Sequence, residues 1–599
     1  MSIPFAHRVL KRKEDSISDD HTSSTHSVAS ATTRRRKVLR RVARSSQQLQ
    51  ARTHFEEHYD HIQLLGRVDA YSQLNPELVT ADPDPAVHRY SLDNPPPIPG
   101  FKPEQWTFVK ACTPVEMAHL KHFDRPDCLP PNDDAKILER AAGVVADLLD
   151  LPEYLQFPYR QDLREVKFYP NKFAGIEYAV MGLKTRGDAD PVAQRDAEEA
   201  YDRLLSGHRV PPHDVRLGGR GKVTRMAEEE GESKVPAVGR LILMLSHRDL
   251  KLCGITESLL TKAWSASKYP IAVGQSWYHG GVDEFLRRFL PHEKFYCFDA
   301  KKFDSSINPW MVRIAINICR TQFYEGMDHR FDAYWDFIEE SLLRAPIYRD
   351  DGLRFQKFVG TTSGHSHNTL LQSIITLLLG YACLMILNPE MSDEDIMANA
   401  WLESLGDDNI MGLSGDLTRH TVEDIATVMQ DHFNVDWFGK KSFATTRLID
   451  PHQGEFQGVQ FLGKYFYLGD YPAGDGPVQV PLPYRPAEET YLRLLYPEYG
   501  DLVMEGSWLR ALGNYLDAAG NRAMEAWLQG YMDWLEPQLE REPETWPANF
   551  KRMVTRDYSN VGVEVPKPER ISFEQWRDLV VLGREEYRRL WRVERGQVL

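Results

Sequence analysis

Cysteine is scarce in this sequence, and its spacing excludes several kinds of site. The 599 residues include six cysteines, with no CxxC pair and no paired histidine nearby at ligand spacing. A zinc knuckle is therefore not expected, and a reducing compartment is the natural setting. The phosphate-binding pattern GxxxxGK[ST] is also missing, which argues against an ATP-driven helicase.

Long hydrophobic runs are missing as well. The most hydrophobic stretch, LLLGYACLMIL at residues 377–387, is too short for a membrane span, which needs about 20 residues. We therefore predict a buried helix there and no membrane contact. The N-terminus has neither an apolar core nor a small-residue cleavage site, so a secretory signal is not expected.

Charge is present in quantity but is unevenly distributed. The chain has 72 Lys and Arg against 87 Asp and Glu, a net charge of −15. Residues 1–52 hold 12 basic and 4 acidic residues, a balance of +8 that leaves −23 for residues 53–599. We predict a flexible basic tail over residues 1–52, with a short surface helix as the equal alternative. The acidic body argues against non-specific duplex binding on its outer surface.

Composition changes mark the boundaries of the body. A proline-rich connector covers residues 91–100, and a Gly/Pro-rich segment covers 469–486. After the second segment, apolar residues recur every three or four positions around Trp508, Leu512 and Leu516, as in an amphipathic helix. The pattern predicts a mixed α/β middle portion and a helical end.

Two carboxylates follow a short predicted strand in the middle portion. The apolar run at 295–298 ends at Asp299, and Asp304 follows five residues later, before a helix capped by Asn308 with Pro309 at its first position. Because a continuous strand would place the two carboxylates on opposite faces, a bend is needed to bring both over one cleft. Aspartates in this position are also common as helix caps.

A second acidic pair lies in WLESLGDDNIMGL, residues 401–413. Apolar flanks around the turn residues predict a β-hairpin with Asp407 and Asp408 at its tip, although an ordinary turn has the same composition. Together with Asp299, these carboxylates would repel one another in a partly dry cleft unless cations were bound. Two divalent cations would remove that repulsion and suit in-line phosphoryl transfer.

Between the acidic segments lies a loop that leads into a helix. Ser363 and Gly364 form the loop, and Asn368 and Gln372 fall on one face of the helix, where their amides can reach a ligand. The histidines of GHSH are weak metal candidates because no partner ligands accompany them.

The order of DAKKFD, SGHSHNTLLQS, GDDN and FLGKYF, at residues 299–304, 363–373, 406–409 and 461–466, resembles the viral RNA-dependent RNA polymerases of the partitiviruses, small bisegmented double-stranded RNA viruses. The resemblance implies an α+β closed right hand with an antiparallel palm sheet and flanking helices. It places the fingers at 53–290, the palm at 291–468 and a helical thumb at 469–599.

The resemblance also implies roles for individual residues. Asp299, Asp407 and Asp408 would bind two Mg²⁺ or Mn²⁺ ions and act in catalysis. Asp304 would recognise the ribose 2′-hydroxyl, which DNA lacks. Reverse transcriptases usually carry an aromatic residue where this chain has Leu405, so an RNA product is favoured over a DNA product.

Further residues resemble the groups that handle the nucleotide. Lys441 resembles the palm lysine that protonates pyrophosphate, with Lys440 as an equal competitor, and residues 461–463 resemble the hairpin that supports the primer strand. Asn368 and Gln372 depart from the usual Thr and Asn of the loop–helix motif. The full set of predicted nucleotide-binding residues is Asp304, Ser363, Gly364, Asn368, Gln372, Arg240, Arg248 and Lys234, with Arg220 and Lys222 as a second basic cluster.

The expected partners are an RNA template and product, ribonucleoside triphosphates and a viral capsid protein. The resemblance further implies a monomeric catalytic unit in the host cytoplasm, within the virion. The alternatives are a reverse transcriptase and an RNA-binding structural or capsid protein in which GDDN is only a turn.

Overall fold

The computed structural model describes residues 58–229, 232–266, 268–498, 503–539 and 570–591. The predicted basic tail, residues 1–52, lies outside these ranges, so its conformation and role stay predictions. Helices and strands are mixed along the described chain, which is compatible with the predicted α+β class.

The strands of the described residues form five sheets. They are β1 Gln63–Arg67, β2 Thr80–Ala81, β3 Trp106–Val109, β4 Val215–Arg220, β5 Lys222–Arg225, β6 Ala227–Glu229, β7 Glu232–Lys234, β8 Arg240–Met244, β9 Lys294–Phe298, β10 Ile347–Tyr348, β11 Leu353–Gln356, β12 Ala400–Leu405, β13 Asp408–Leu413, β14 Phe443–Thr445, β15 Tyr465–Tyr471 and β16 Val478–Tyr484.

The α-helices are distributed between and after these strands. They are α1 Pro85–Asp93, α2 Thr113–Leu120, α3 Ala135–Leu149, α4 Ile176–Ala179, α5 Arg186–Leu205, α6 His247–Trp264, α7 Gly281–Phe289, α8 Phe303–Ser306, α9 Pro309–Thr321, α10 Asp332–Leu343, α11 Asn368–Leu387, α12 Asp393–Asn399, α13 Val422–Phe433, α14 Ala487–Leu495, α15 Met504–Ala518, α16 Arg522–Leu535, α17 Phe573–Val581 and α18 Arg584–Trp591.

A four-stranded antiparallel sheet carries the acidic motifs. Its strand order is β12-β13-β9-β14, and the β12–β13 hairpin pairs Leu405 with Asp408 at its tip. Strand β9 lies beside β13, with Phe298 opposite Asn409, so the end of β9 and the hairpin tip meet at one edge. The predicted hairpin and the predicted strand before Asp299 are both confirmed.

Helix α11 packs against this sheet and is nearly all buried. Gly380 permits the close approach, because a Cβ built there would lie 2.5 Å from Leu402 Cδ2 and 3.1 Å from Met411 Cε. By length and composition α11 could cross a membrane, but 89% of its apolar window is buried inside the protein. The prediction of a buried helix at 377–387 is therefore confirmed, and the helix begins earlier, at Asn368.

A five-stranded sheet of order β1-β11-β10-β4-β8 combines strands from both sides of the predicted boundary at residue 290. Strands β10 and β11, from the range predicted as palm, pair with β4 and β1 of the range predicted as fingers. The bounds 53–290, 291–468 and 469–599 remain predictions. Near the C-terminus, α15 buries Trp508, Leu512 and Leu516, as the spacing of its apolar residues predicts.

Candidate active site

The hairpin tip presents the acidic pair in a fixed turn. Gly406 has a φ of +68°, a conformation that glycine adopts without steric cost, and Asp407 completes the turn before Asp408 begins β13. Both aspartates are half-buried, whereas Leu405 before them is buried. The turn therefore holds two half-buried carboxylates at the tip of a buried hairpin.

Helix α11 holds this hairpin tip in place through side-chain hydrogen bonds. The Gly406 N–H donates to Ser373 Oγ at 2.8 Å, and Thr376 Oγ1 donates to the Gly406 carbonyl at 2.7 Å. Ser404 Oγ donates to the Ser373 carbonyl at 2.9 Å. The positioning roles of Ser373 and Thr376 were not predicted, because their partners lie about 30 residues away on another element.

Asp299 sits at the end of β9 in a seat formed by residues 438–442. Its N–H donates to Ser442 Oγ at 2.9 Å, and it forms a parallel bridge with Phe438. Gly439 packs directly against it, because a Cβ at that position would lie 2.4 Å from Asp299 Oδ2 and 2.1 Å from its carbonyl oxygen. Only a residue without a side chain fits this seat.

The chain bends after Asp299 as the sequence analysis requires. Lys301 bridges Asp436, and Lys302 adopts a left-handed φ of +52° before the short helix α8. Asp304, in α8, accepts a hydrogen bond from Gln372 Nε2 on α11. The bend thus directs the Asp304 carboxylate toward the helix that supports the acidic hairpin.

Gln372 is the centre of a small polar cluster. Its Nε2 also lies 2.9 Å from Thr361 Oγ1 and 3.0 Å from Asn368 Oδ1. An amide nitrogen carries two hydrogens, so these acceptors and Asp304 compete for them. The predicted common face of Asn368 and Gln372 is confirmed, and Thr361 is a partner that the sequence analysis missed.

Ser363 and Gly364 attach the loop to β8. The Leu243 N–H donates to Ser363 Oγ at 3.1 Å, and the Gly364 N–H donates to the Leu243 carbonyl at 3.0 Å. A Cβ at Gly364 would lie 2.2 Å from that carbonyl oxygen, so glycine is required. Because β8 begins at Arg240, this contact joins the loop to the strand that carries a predicted phosphate ligand.

The carboxylates influence one another's ionisation. Burial, followed by the charge of Asp304 and that of Asp299, raises the pKa of Asp407 to about 6. Burial, followed by the charge of Asp407 and that of Asp299, raises the pKa of Asp408 to about 7, although a backbone hydrogen bond from Leu462 opposes the rise. Burial also raises the pKa of Asp304. The four aspartates therefore form one electrostatically coupled group.

Basic residues lie within range of these carboxylates. The charge of Arg240, at the start of β8, lowers the pKa values of Asp304 and Asp407. Burial, followed by Arg240 and Lys441, lowers the pKa of Lys222, and Asp299 opposes this effect. Arg240 on β8 and Lys222 on β5 thus interact electrostatically with the acidic group, and positive charge of this kind suits a nucleotide's phosphates.

Two histidines, which the sequence analysis missed, border the same basic residues. Burial and the charges of Lys222, Lys302 and Arg240 lower the pKa of His119, and burial and Lys302 lower that of His122 to about 4. Both imidazoles are therefore neutral near pH 7, and the positive charge here comes from the lysines and Arg240.

The other predicted cations lie in different surroundings. Arg248 is buried, with its Nε 2.7 Å from Asp249 Oδ1 and its Nη2 donating to the Pro211 carbonyl, so the structure commits it to the start of α6 and not to the acidic group. Arg220 pairs with Glu498. Lys234 is exposed on β7, opposite Ala227.

Lys441 is exposed, and its Nζ lies 3.4 Å from Glu489 Oε1 on α14. It adjoins the seat of Asp299 through Ser442. Lys440 is also exposed. The assignment of Lys441 over Lys440 as proton donor stays a prediction, with the ion pair to Glu489 as the feature that distinguishes the two side chains.

The donor set suits a hard divalent cation. Aspartate oxygens are the ligands that Mg²⁺ and Mn²⁺ prefer, and a bound cation would offset both the burial and the mutual repulsion that raise the pKa values of Asp407 and Asp408. Within the described ranges, no group of three or more His, Cys, Asp or Glu side chains lies close enough to hold a metal ion as the structure stands.

The GHSH histidines are committed to the protein interior. His365 Nε2 lies 2.8 Å from Ser341 Oγ and 3.3 Å from Cys253 Sγ, and His367 Nε2 lies 3.1 Å from Thr256 Oγ1. Both rings are buried. They anchor the loop that carries Ser363, which explains their presence without a metal.

Comparison with known proteins agrees with this geometry. Residues 263–467 match the family model described as viral RNA-dependent RNA polymerase, and this range contains all four motif segments. The match indicates that this segment is similar to RNA-directed RNA polymerases, a class of nucleotidyltransferases with a right-hand fold.

Similar curated proteins are potyvirus genome polyproteins. The chain is 28% identical to that of Plum pox potyvirus (strain Rankovic) over 173 residues, which cover 28% of this chain and 5% of the polyprotein. It is 27% identical to that of strain El amar over 316 residues, 50% of this chain and 19% of the polyprotein. It is 31% identical to that of Zucchini yellow mosaic virus (strain Reunion Island) over 276 residues, 44% and 8% respectively. The chain thus spans a small part of each polyprotein.

Proposed function

We propose that this chain copies RNA templates into RNA by a two-metal mechanism, for transcription and replication of a double-stranded RNA genome. In the proposed reaction, the 3′-hydroxyl of the growing strand attacks the α-phosphate of a ribonucleoside triphosphate. The observation that carries the proposal is that the end of β9, where Asp299 follows, meets the hairpin tip that carries Asp407 and Asp408, while Asp304 is hydrogen-bonded to the helix that holds this tip.

The cations are assigned to the aspartates of the hairpin and of β9. Asp299, Asp407 and Asp408 would hold two Mg²⁺ or Mn²⁺ ions, which when bound would activate the attacking oxygen and stabilise the leaving group. The protein's own contribution is positioning: α11 fixes the hairpin tip, and residues 438–442 fix Asp299.

Ribose selection is assigned to Asp304 and its neighbours. Gln372 donates to Asp304 Oδ1, and within the described residues no protein group donates to the other carboxylate oxygen. A ribose 2′-hydroxyl can therefore donate there, whereas a deoxyribose leaves that oxygen without a donor. Asn368 and Thr361 assist by holding Gln372, and Ser363 and Gly364 hold the loop.

The triphosphate is assigned to the basic residues. Arg240 can donate two parallel hydrogen bonds to phosphate oxygens, and Lys222 adds a second charge nearby. Lys441 would donate a proton to the departing pyrophosphate, while its partner Glu489 keeps its side chain in place.

The viral setting is proposed from the resemblance of the motifs to those of partitiviruses. It comprises an RNA template and product, a viral capsid protein as partner, a monomeric catalytic unit, no membrane contact and a location in the host cytoplasm within the virion. The polymerase family match and the potyvirus similarities support a viral polymerase in general.

Nucleotide incorporation tests the proposal directly. Purified full-length protein is incubated with a primed single-stranded RNA, Mg²⁺ or Mn²⁺, and labelled ribonucleotides or deoxynucleotides. We expect template-directed incorporation of ribonucleotides that EDTA abolishes. Preferred use of deoxynucleotides would instead identify a reverse transcriptase, and RNA binding without product or metal dependence would identify an RNA-binding structural protein.

A further inference from the structure

A chain of ion pairs leads from the seat of Asp299 into the C-terminal helices. It begins at Lys441, whose Nζ lies 3.4 Å from Glu489 Oε1. The second oxygen of the same carboxylate, Oε2, lies 3.2 Å from Arg485 Nη1. Glu489 therefore uses one oxygen for each neighbour and bridges the two.

The chain continues through Asp517 on α15. Its Oδ2 lies 2.9 Å from Arg485 Nε, and its Oδ1 lies 2.7 Å from Lys464 Nζ. The side chains of Arg485 and Lys464 are 2% and 4% exposed, so these charges are paired away from solvent. Removing one partner of a buried ion pair leaves an uncompensated charge, so these pairs are sensitive to changes in their neighbours.

Both ends of this chain reach the acidic group. Lys441 directly precedes Ser442, whose hydroxyl accepts the Asp299 N–H. Lys464 closes a tight turn through two 3.0 Å backbone hydrogen bonds with Phe461, and the Leu462 backbone within that turn lies close enough to Asp408 to lower the pKa of its carboxyl. The segment that contacts Asp299, residues 438–442, and the turn beside Asp408, residues 461–464, are thus joined outside the sheet of β9 and β13.

We propose that Glu489 is a positioning residue that couples helices α14 and α15 to residues 438–442, which contact Asp299, and to the turn at 461–464 beside Asp408. The affinity of the acidic group for divalent cations then depends on Glu489. The inference rests on the proposed function, which assigns these aspartates to metal binding. Glu489 is the most informative position because it is partly exposed, so its substitution breaks the chain without opening the core.

The test is Mn²⁺ binding to the full-length protein without RNA, measured by calorimetric titration. We expect Glu489→Gln, which keeps the shape of the side chain and removes its charge, to weaken Mn²⁺ binding about tenfold. Glu489→Asp, which keeps the charge, should recover part of the loss. Glu488→Gln is the matched control, since Glu488 is the exposed neighbour on the same helix and should bind Mn²⁺ like the wild type.

Primer extension at graded Mn²⁺ concentrations provides the second readout, and thermal unfolding checks that each variant is folded. We expect Glu489→Gln to need about tenfold more Mn²⁺ for half-maximal extension. Equal Mn²⁺ affinity in Glu489→Gln and Glu488→Gln would overturn the inference even if extension slowed, since Glu489 would then act on Lys441 alone. If Glu489→Gln does not fold, Glu489→Asp decides by the same comparison.

Failure of the proposed function would look different. A wild-type protein that binds Mn²⁺ but extends no RNA would refute the polymerase proposal, while the affinities of the variants would still decide the role of Glu489. A wild-type protein that binds no Mn²⁺ in the titration and extends no primer would overturn both the polymerase proposal and the role of Glu489.

Discussion

Substitution of Gly439 by alanine tests whether the seat of Asp299 controls catalysis. A Cβ at this position would lie 2.1 Å from the Asp299 carbonyl oxygen and 2.4 Å from Oδ2, whereas real Cβ contacts stay at 3.0 Å or more. Asp299 or residues 438–442 must therefore move by about 0.9 Å. A displacement of about 1 Å in a catalytic group can lower the rate about 100-fold.

The assay is steady-state primer extension with Mg²⁺, with kcat and KM determined separately. We expect Gly439→Ala to lower kcat about 100-fold and to change KM for the nucleotide much less, because Arg240 and Lys222, to which the triphosphate is assigned, are on other strands. Gly474→Ala is the matched control, since nothing lies within 4 Å of its added Cβ. A folded Gly439→Ala protein with kcat within about twofold of the wild type would refute the positioning argument.

Three further predictions concern the loop–helix motif. Gln372→Met removes the donor to Asp304, so the ratio of kcat/KM for UTP over dUTP should fall about tenfold; an unchanged ratio would exclude Gln372 from ribose selection. Gly364→Ala should raise KM for the nucleotide about tenfold by separating the loop from Leu243, whereas Gly513→Ala, with open space around it, should not, and equal KM values would contradict the proposed contact. Burial lowers the pKa of His367 from 6.5 to about 3, so below pH 6.5 only the unfolded chain gains this proton. Between pH 6.5 and about pH 3, this residue should lower the free energy of unfolding, measured in urea, by about 1.4 kcal/mol per pH unit. The slope should be smaller in His367→Gln, and equal slopes would contradict the lowered pKa of His367.

Local sequence patterns were sufficient for the elements that carry the site. The apolar run 295–298, the acidic hairpin and the amphipathic helix around Trp508 all lie where their residue spacing places them. The shared face of Asn368 and Gln372 also follows from helical spacing alone. These features depend on residues that are close in sequence, and the periodicity of apolar residues reflects only such local spacing.

Contacts between distant segments were not predictable in this way. Nothing local distinguishes Gly439 from any other loop glycine, and its role appears only when Asp299 lies against it. The same holds for Thr361, Ser373 and Glu489, whose partners lie on other elements. These residues hold the candidate catalytic side chains in place, and their roles can be recognised only when the fold has brought distant segments together.

Asn308 shows how a correct local prediction can still miss the side chain's role. Helix α9 begins at Pro309 with Asn308 at the cap position, as predicted, but the Asn308 side chain makes no capping hydrogen bond. Its Oδ1 instead accepts the Cys128 N–H at 3.0 Å. A tertiary contact has taken the acceptor that the helix terminus would otherwise use.

The central claim is that Asp299, Asp407 and Asp408 form one catalytic group for RNA synthesis. The most direct measurement compares labelled ribonucleotide incorporation on single-stranded RNA by wild type, by Asp299→Asn, and by Asp407→Ala/Asp408→Ala, with Asp416→Asn, outside the group, as control. We expect product from wild type and Asp416→Asn, and none from the two variants of the group, with thermal unfolding showing that all four proteins are folded. Polymerisation by a folded Asp407→Ala/Asp408→Ala protein would contradict it.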